Sequence, residues 1–151
     1  MIEKVYGYVF ATLISCFFVA CDTPEYTAAK NFKDQCWSLE DSMLYSFHVE
    51  TEKENSFSFQ TFMDFEDNFG YRNIYLKAVL KGPEGIEADW LLSDTLVDDL
   101  GYWIHDPMAT PIAGSQNIAP KRVGLYELRL VQYLRDSNLC NIKAVHIRKL
   151  P

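Results

Sequence analysis

The sequence predicts an all-β domain built as an antiparallel β-sandwich, of the jelly-roll or immunoglobulin-like type. Several segments alternate apolar and polar side chains with a period of two, and Gly, Pro, Asp and Asn cluster between them. After residue 22, no stretch has the length and apolar spacing of an amphipathic helix. Strands that bury one face and turn back on themselves pack best as two facing sheets.

The first residues predict a lipoprotein signal peptide over residues 1–20. The apolar run 5–20 is shorter than the ~20 residues that a membrane-spanning helix needs. It ends in Ala20, Cys21 and an abruptly polar sequence, which is how bacterial lipoprotein signals end. Cys16 follows the better cleavage motif, but cleavage there would leave an apolar stub. We therefore predict Cys21 as the lipidation site, with acyl chains such as palmitate.

The segment that follows is predicted as a lipidated tether over residues 21–35, because it has neither strict alternation nor a complete helical face. Within it, Tyr26 and Phe32 are candidates to dock on the domain surface. The β-sandwich domain is then expected over residues 36–151.

The first two predicted strands alternate clearly. In the first, one face carries Met43, Tyr45, Phe47 and Val49. In the second, which spans 56–65, the apolar residues again share a face, except Phe62. Phe62 indicates a second packing surface, a binding face or a β-bulge.

The next two strands are predicted to form a hairpin. The strand 74–81 alternates, with its even-numbered apolar residues inward, and the sequence Gly82-Pro83-Glu84-Gly85 then forces a reversal. The return strand covers 88–96, with Trp90 on the face that is buried.

Residues 98–123 are predicted as a long loop, because they contain most of the remaining turn-forming residues. Loops of this length in compact domains usually serve a function, so we expect a partner-binding site here. Its candidate interface residues are Tyr102, Trp103 and His105. Two further strands, 126–131 and 142–148, complete the chain.

The cysteines leave two alternatives open. If the Cys21 thiol is acylated, Cys36 and Cys140 are the two cysteines that remain in the exported domain, which makes them a candidate disulfide. Free buried cysteines are the alternative.

The charge and the titratable residues exclude several function classes. The formal net charge is −7 and no run of Lys or Arg is present, which argues against nucleic-acid binding and predicts repulsion from anionic membrane surfaces. His48, His105 and His146 lack metal-ligand spacing, and His48 and His146 are predicted to be exposed or half-buried. The acidic groups around Asp64 and Asp94 lack a calcium-loop pattern and indicate a solvated rim. We therefore expect no enzyme, no metal and no cofactor.

Short phrases along nearly the whole chain carry a resemblance to a known family. They are Cys21-Asp22, Trp37, Tyr71-Arg72-Asn73-Ile74-Tyr75-Leu76, Gly82-Pro83-Glu84-Gly85, Asp94-Thr95-Leu96, Gly101-Tyr102-Trp103, Gly124-Leu125-Tyr126 and Gln132-Tyr133-Leu134-Arg135. In this order and spacing, the chain resembles the GldH type of gliding-motility lipoprotein of Bacteroidota. It departs from that pattern at His105, Asn141 and His146, where glycine is expected for local backbone geometry.

The resemblance implies an accessory lipoprotein of the gliding apparatus, which works alongside the type IX secretion machinery. It implies no catalytic residues. The expected partners are a membrane, through the N-terminal lipid, and other gliding or secretion proteins. The expected location is the outer membrane, with its face left open.

A second function class stays open at this point, namely a carbohydrate- or peptide-binding β-sandwich lipoprotein. In this class, Trp90, Tyr102 and Trp103 would form an exposed aromatic platform. It therefore requires the three rings to be exposed together.

Overall fold

The computed structural model describes residues 27–51 and 56–150 of the chain. The strands are β1 (Ala28–Asn31), β2 (Cys36–Ser38), β3 (Met43–Val49), β4 (Phe57–Phe65), β5 (Asn73–Gly82), β6 (Gly85–Thr95), β7 (Thr110–Ile118), β8 (Gly124–Gln132), β9 (Asn138–Cys140) and β10 (Ile142–Leu150). Within these ranges, no helix is long and apolar enough to cross a membrane. The predicted signal peptide 1–20, with Cys16, and the lipidation site Cys21 lie outside the described residues.

The strands form a two-layer antiparallel sandwich, which confirms the predicted fold class. The first sheet has the order β1-β10-β4-β7 and the second has the order β3-β8-β5-β6. The short strands β2 and β9 make a separate pair at one end. Predicted strands with period-two alternation correspond to β3, β4, β5, β6, β8 and β10.

The core lies between the two sheets and is rich in aromatic rings. Strand β4 alternates without interruption and buries its odd-numbered residues. Phe47 of β3 packs across the layer against Phe57, at 5.1 Å between ring centroids, and beside Tyr126 at 5.6 Å. Phe62 lies on the other face of β4, where the Arg148 guanidinium covers its ring at 4.8 Å. It therefore belongs to a second packing surface.

The β5–β6 hairpin turns through Pro83 and Glu84, between the paired residues Gly82 and Gly85. Gly85 has φ of 127°, which L side chains rarely adopt. The turn packs on Gly124 at the start of β8, where a Cβ would come within 2.6 Å of Pro83 Cγ. The hairpin tip and the start of β8 therefore fit together only because residue 124 lacks a side chain.

The pairing register defines two ends of the sandwich. At the near end, Phe57 pairs with Ile118, Val49 with Gly124, and the β5–β6 hairpin turns. At the far end, β4 ends at Phe65. The connections at the far end cover 32–42, 66–72, 96–109 and 133–141. Strand β1 runs from the near end towards the far end.

The predicted tether 21–35 extends too far, because its second half is folded. Ala28–Asn31 form β1, which pairs with β10, and Phe32 is buried and stacks on Trp37 at 5.1 Å. Four residues are too few to show alternation, so no strand is predicted here. The described domain includes these residues.

The prediction that residues 98–123 form one long loop is wrong, because they contain β7. The turn-forming residues of β7 are compatible with its position at the edge of the first sheet. Pro111 lacks an N–H, and an edge strand does not need one on its outer side. Ala113 and Gly114 have φ of 58° and 64° and form a β-bulge, where the register against β4 shifts. Ile112 and Ile118 are buried in the core. The predicted loop is therefore two connections, 96–109 before β7 and 119–123 after it.

His146 is buried rather than exposed or half-buried. It lies on the outer face of β10, opposite Phe62 and Ala29 in the neighbouring strands. Its Nε2 lies 2.8 Å from Asp64 Oδ2. His48 is exposed, as predicted.

Candidate interaction surface

The connection 96–109, which we call the far-end loop, begins as a small folded hairpin. The N–H of Asp98 donates to the carbonyl of Tyr102 at 2.9 Å, and Val97 and Trp103 form a β-bridge. The Asp98 carboxylate accepts hydrogen bonds from the N–H groups of Leu100 and Tyr102, both at 2.9 Å. Gly101 completes the turn with φ of 87°. The backbone of this hairpin is therefore held by its own hydrogen bonds.

A second set of contacts fixes the other half of the far-end loop. The Asp64 carboxylate accepts a hydrogen bond from the Ala109 N–H at 2.7 Å, and the Phe65 N–H donates to the Pro107 carbonyl at 2.9 Å. The Asp106 carboxylate accepts from the Met108 N–H at 2.9 Å. Because both halves are tied to the sheets or to themselves, the backbone of the loop is held in one arrangement.

Four apolar side chains of the far-end loop point into solvent. They are Leu100, Tyr102, Ile104 and Met108, which are 80%, 69%, 49% and 48% exposed. Every residue from 98 to 106 except Trp103 is exposed. No alternation in the sequence therefore singles out these apolar side chains.

The structure separates the three residues predicted as an interface. Tyr102 and His105 are exposed, whereas Trp103 is half-buried and its ring lies 5.6 Å from that of Phe65. The indole therefore attaches the far-end loop to the end of β4. Its neighbours Tyr102 and Ile104 are exposed instead.

The structure does not assemble the aromatic platform that a carbohydrate-binding module requires. Trp90 lies in the middle of β6 and packs partly against the core, whereas Trp103 pairs with Val97 beyond the end of that strand. Seven residues separate Trp90 from Val97, which is about 23 Å along a strand. The three rings therefore do not share one exposed surface.

The acidic residues around Asp64 and Asp94 are used within the fold. Asp64 binds His146 and the Ala109 N–H, and Asp94 accepts from the N–H groups of Thr95 and Ala113 at 2.8 and 3.2 Å. The second of these bonds joins β6 of one sheet to the bulge in β7 of the other. In the described ranges, no three His, Cys, Asp or Glu side chains are grouped as metal ligands.

The structure joins Cys36 and Cys140 in a disulfide at the far end. The two residues face each other across the β2–β9 pair, and Trp37 is fully buried beside them. The Trp37 indole N–H donates to the Asp41 carbonyl at 3.0 Å. This pair of short strands closes the far end of the sandwich.

At the near end, Tyr126 fixes the connection between β7 and β8. Its hydroxyl lies 3.0 Å from Glu87 Oε1 and 2.9 Å from the Arg122 carbonyl, and it accepts from the Arg122 N–H at 3.2 Å. This arrangement matches the tyrosine corner of Greek-key sandwiches. Burial raises the pKa of the Tyr126 phenol, and the neighbouring Glu87 carboxylate adds to the effect.

Comparison with known proteins identifies the family. The chain matches the model of the GldH lipoprotein family over residues 25–148, which covers β1 to β9 and β10 as far as Arg148. None of the curated proteins compared with the chain matches it. Because the family match spans most of the sequence and nearly all of the sandwich, the chain belongs to the GldH lipoprotein family.

Proposed function

We propose that this lipoprotein is a non-enzymatic accessory component of the gliding apparatus, held at the outer membrane by acylated Cys21 and acting through protein contacts. Family membership supports a gliding-motility-associated lipoprotein, anchored in the cell envelope. The predicted signal that ends at Cys21 supports the anchor.

The observation that carries the contact role is the fixed, apolar surface of the far-end loop. Leu100 and Tyr102 are more than two-thirds exposed, although their backbone is held by Asp98. Exposed apolar side chains on a fixed backbone mark protein-binding surfaces, since their burial by a partner releases water and the backbone loses little conformational entropy.

The charge around this surface favours a particular partner chemistry. The far-end loop carries Asp98, Asp99 and Asp106 and contains no Lys or Arg. Asp99 is paired with Arg72, while the Asp98 and Asp106 carboxylates bind backbone N–H groups. A component of the gliding or type IX secretion machinery with an apolar patch and a basic rim fits this surface.

Complementation of a strain that lacks the gene tests the proposal. We expect the variant Leu100→Ser/Tyr102→Ser to reduce gliding speed to that of the uncomplemented strain. Both side chains are exposed, so each substitution changes the free energy of unfolding by no more than about 0.5 kcal/mol. The matched control is Leu44→Ser/Leu91→Ser, which removes two exposed leucines from the second sheet. Wild-type gliding of the Leu100→Ser/Tyr102→Ser strain would contradict the contact role.

The anchor is tested in the same strains by labelling with a fatty-acid analogue. The label should be lost in Cys21→Ala and kept in Cys16→Ala, because only the acylated cysteine carries the lipid. The opposite pattern would move the lipidation site to Cys16.

A further inference from the structure

The near end of the sandwich carries a second exposed apolar surface, which we call the basal patch. We propose that the basal patch lies on the bilayer in which the protein is anchored, so that the far-end loop faces away from the membrane. The patch consists of Ile86, Val123 and Leu125. Lys81, Lys121 and Arg122 lie beside them, together with the acidic residues Glu84, Glu87 and Glu127. The proposal rests on the lipidation of Cys21 proposed above.

The length of chain between the anchor and the fold limits their separation. Seven residue steps lead from Cys21 to Ala28, which span at most about 25 Å when fully extended. Ala28 pairs with Ile147, and β10 continues three residues further towards the near end, about 10 Å. Little more than about 15 Å therefore remains between the near end and Cys21.

The hydrogen bonds of Thr27 set the direction in which the chain leaves the domain. Its N–H donates to the Ile147 carbonyl at 2.8 Å, and its hydroxyl accepts from the Lys149 N–H at 2.8 Å. Thr27 therefore continues along β10 towards the near end. The anchor follows from that side, so the near end is the part of the sandwich that the tether brings to the membrane.

The backbone of the basal patch is fixed by packing and by hydrogen bonds. Its apolar members come from the β5–β6 hairpin and from the connection into β8, where Ile86 is 73% and Leu125 is 63% exposed. Pro83 lies on Gly124, and Arg122 Nε lies 3.1 Å from Glu84 Oε2. The hydroxyl of Tyr126 holds the backbone of Arg122. Exposed aliphatic side chains beside Lys and Arg are the composition that binds bilayer interfaces.

The charges of the chain are distributed unequally between the two ends. In the far-end connections, the acidic residues are Asp34, Glu40, Asp41, Glu66, Asp67, Asp98, Asp99, Asp106 and Asp136, and the basic residues are Lys33, Arg72 and Arg135. In the near-end connections that the structure describes, Glu50 and Glu84 are balanced by Lys121 and Arg122. An anionic lipid surface therefore repels the far end more strongly than the near end.

Site-specific photocrosslinking in gliding cells tests this orientation. The photoreactive residue p-benzoylphenylalanine is incorporated in place of Ile86, Val123 or Leu125, with the matched far-end positions Leu100 and Tyr102 as controls. Cells are labelled with a fatty-acid analogue, and the Cys36–Cys140 disulfide, read by mobility with and without reductant, reports folding. Adduct yields are compared only among photoreactive variants that form this disulfide.

We expect several-fold more phospholipid adduct at the basal patch than at Leu100 or Tyr102. Equal yields at both ends, or protein adducts in place of lipid adducts at Ile86 and Leu125, would overturn the proposal. The anchor is read separately from the mass of the N-terminal peptide. An acylated peptide without lipid adducts refutes the orientation alone, whereas lipid adducts on a non-acylated chain refute the anchor alone. If neither acylation nor lipid adducts are found, the anchor and the orientation are both refuted.

Discussion

At the scale of single residues, the buried hydroxyl of Tyr126 joins β8, the β7–β8 connection and β6. Removing it in Tyr126→Phe takes away the partner of the Arg122 backbone and of Glu87. We expect a loss of about 1–3 kcal/mol in the free energy of unfolding, measured by urea denaturation at neutral pH. Tyr102→Phe is the control, because its ring is exposed. Equal stability of Tyr126→Phe and wild type would contradict this role.

The pKa of Tyr126 adds a pH dependence to the same variant. The pKa is raised above 10.0 in the folded state, first by burial, so folding favours the protonated phenol. This contribution is complete below pH 10, the unfolded value, and is lost as the pH rises further, because the unfolded chain then releases the proton first. Above pH 10, wild type should lose stability more steeply than Tyr126→Phe.

The sequence predicted residues by local pattern and missed those that depend on distant contacts. Alternation correctly predicts that His146 lies on the outer face of its strand, but its partner Asp64 lies 82 positions away, and no local pattern indicates the pair. The turn residues around Trp103 predict a loop aromatic, whereas its ring packs against Phe65. The exposure of Leu100 depends on which side of the small hairpin faces the sheets, and the sequence does not indicate that side.

At the scale of elements, alternation predicted the long strands, and turn residues predicted the β5–β6 hairpin. The same rules failed for β7, since Pro111 and Gly114 signal loops unless the strand is known to lie at an edge. Strands β1, β2 and β9 have three or four residues and show no period. Their pairing is decided by neighbours far along the chain.

The backbone conformation of Ala109, the residue before β7, can be tested by substitution. Ala109 has φ of 57°, which costs an L-residue roughly 1–2 kcal/mol relative to glycine. Ala109→Gly should therefore raise the free energy of unfolding by about 0.5–1 kcal/mol, because glycine adopts this φ without strain. The hydrogen bond to Asp64 is kept, since it uses the backbone N–H of residue 109. Ala29→Gly, in the regular strand β1, should lower it by a similar amount. Thermal denaturation that shows both variants shifted in the same direction would contradict this assignment.

At the scale of the whole molecule, the loop closed by the Cys36–Cys140 disulfide contains β2 to β9, since the two cysteines are 104 positions apart. Cross-linking a loop of that size restricts the unfolded chain strongly. The variant Cys36→Ala/Cys140→Ala should lose about 2–5 kcal/mol in the free energy of unfolding, measured by urea denaturation.

Reductant provides the control for this prediction. It should lower the midpoint of wild type to that of Cys36→Ala/Cys140→Ala and leave the variant unchanged. A wild-type midpoint that does not respond to reductant would show that the disulfide does not contribute to stability.

The direction of β1 determines how the domain bears mechanical load. A pull between the N-terminal chain and the far-end loop acts along the strands, so the perpendicular hydrogen bonds between β1 and β10 are loaded together in shear rather than opened one by one. Should β1 slip, unravelling from this side stops at Cys36, five residues beyond the end of β1, because its disulfide holds the chain to β9. A protein anchored at one end and gripped at the other could thus transmit force with its core closed.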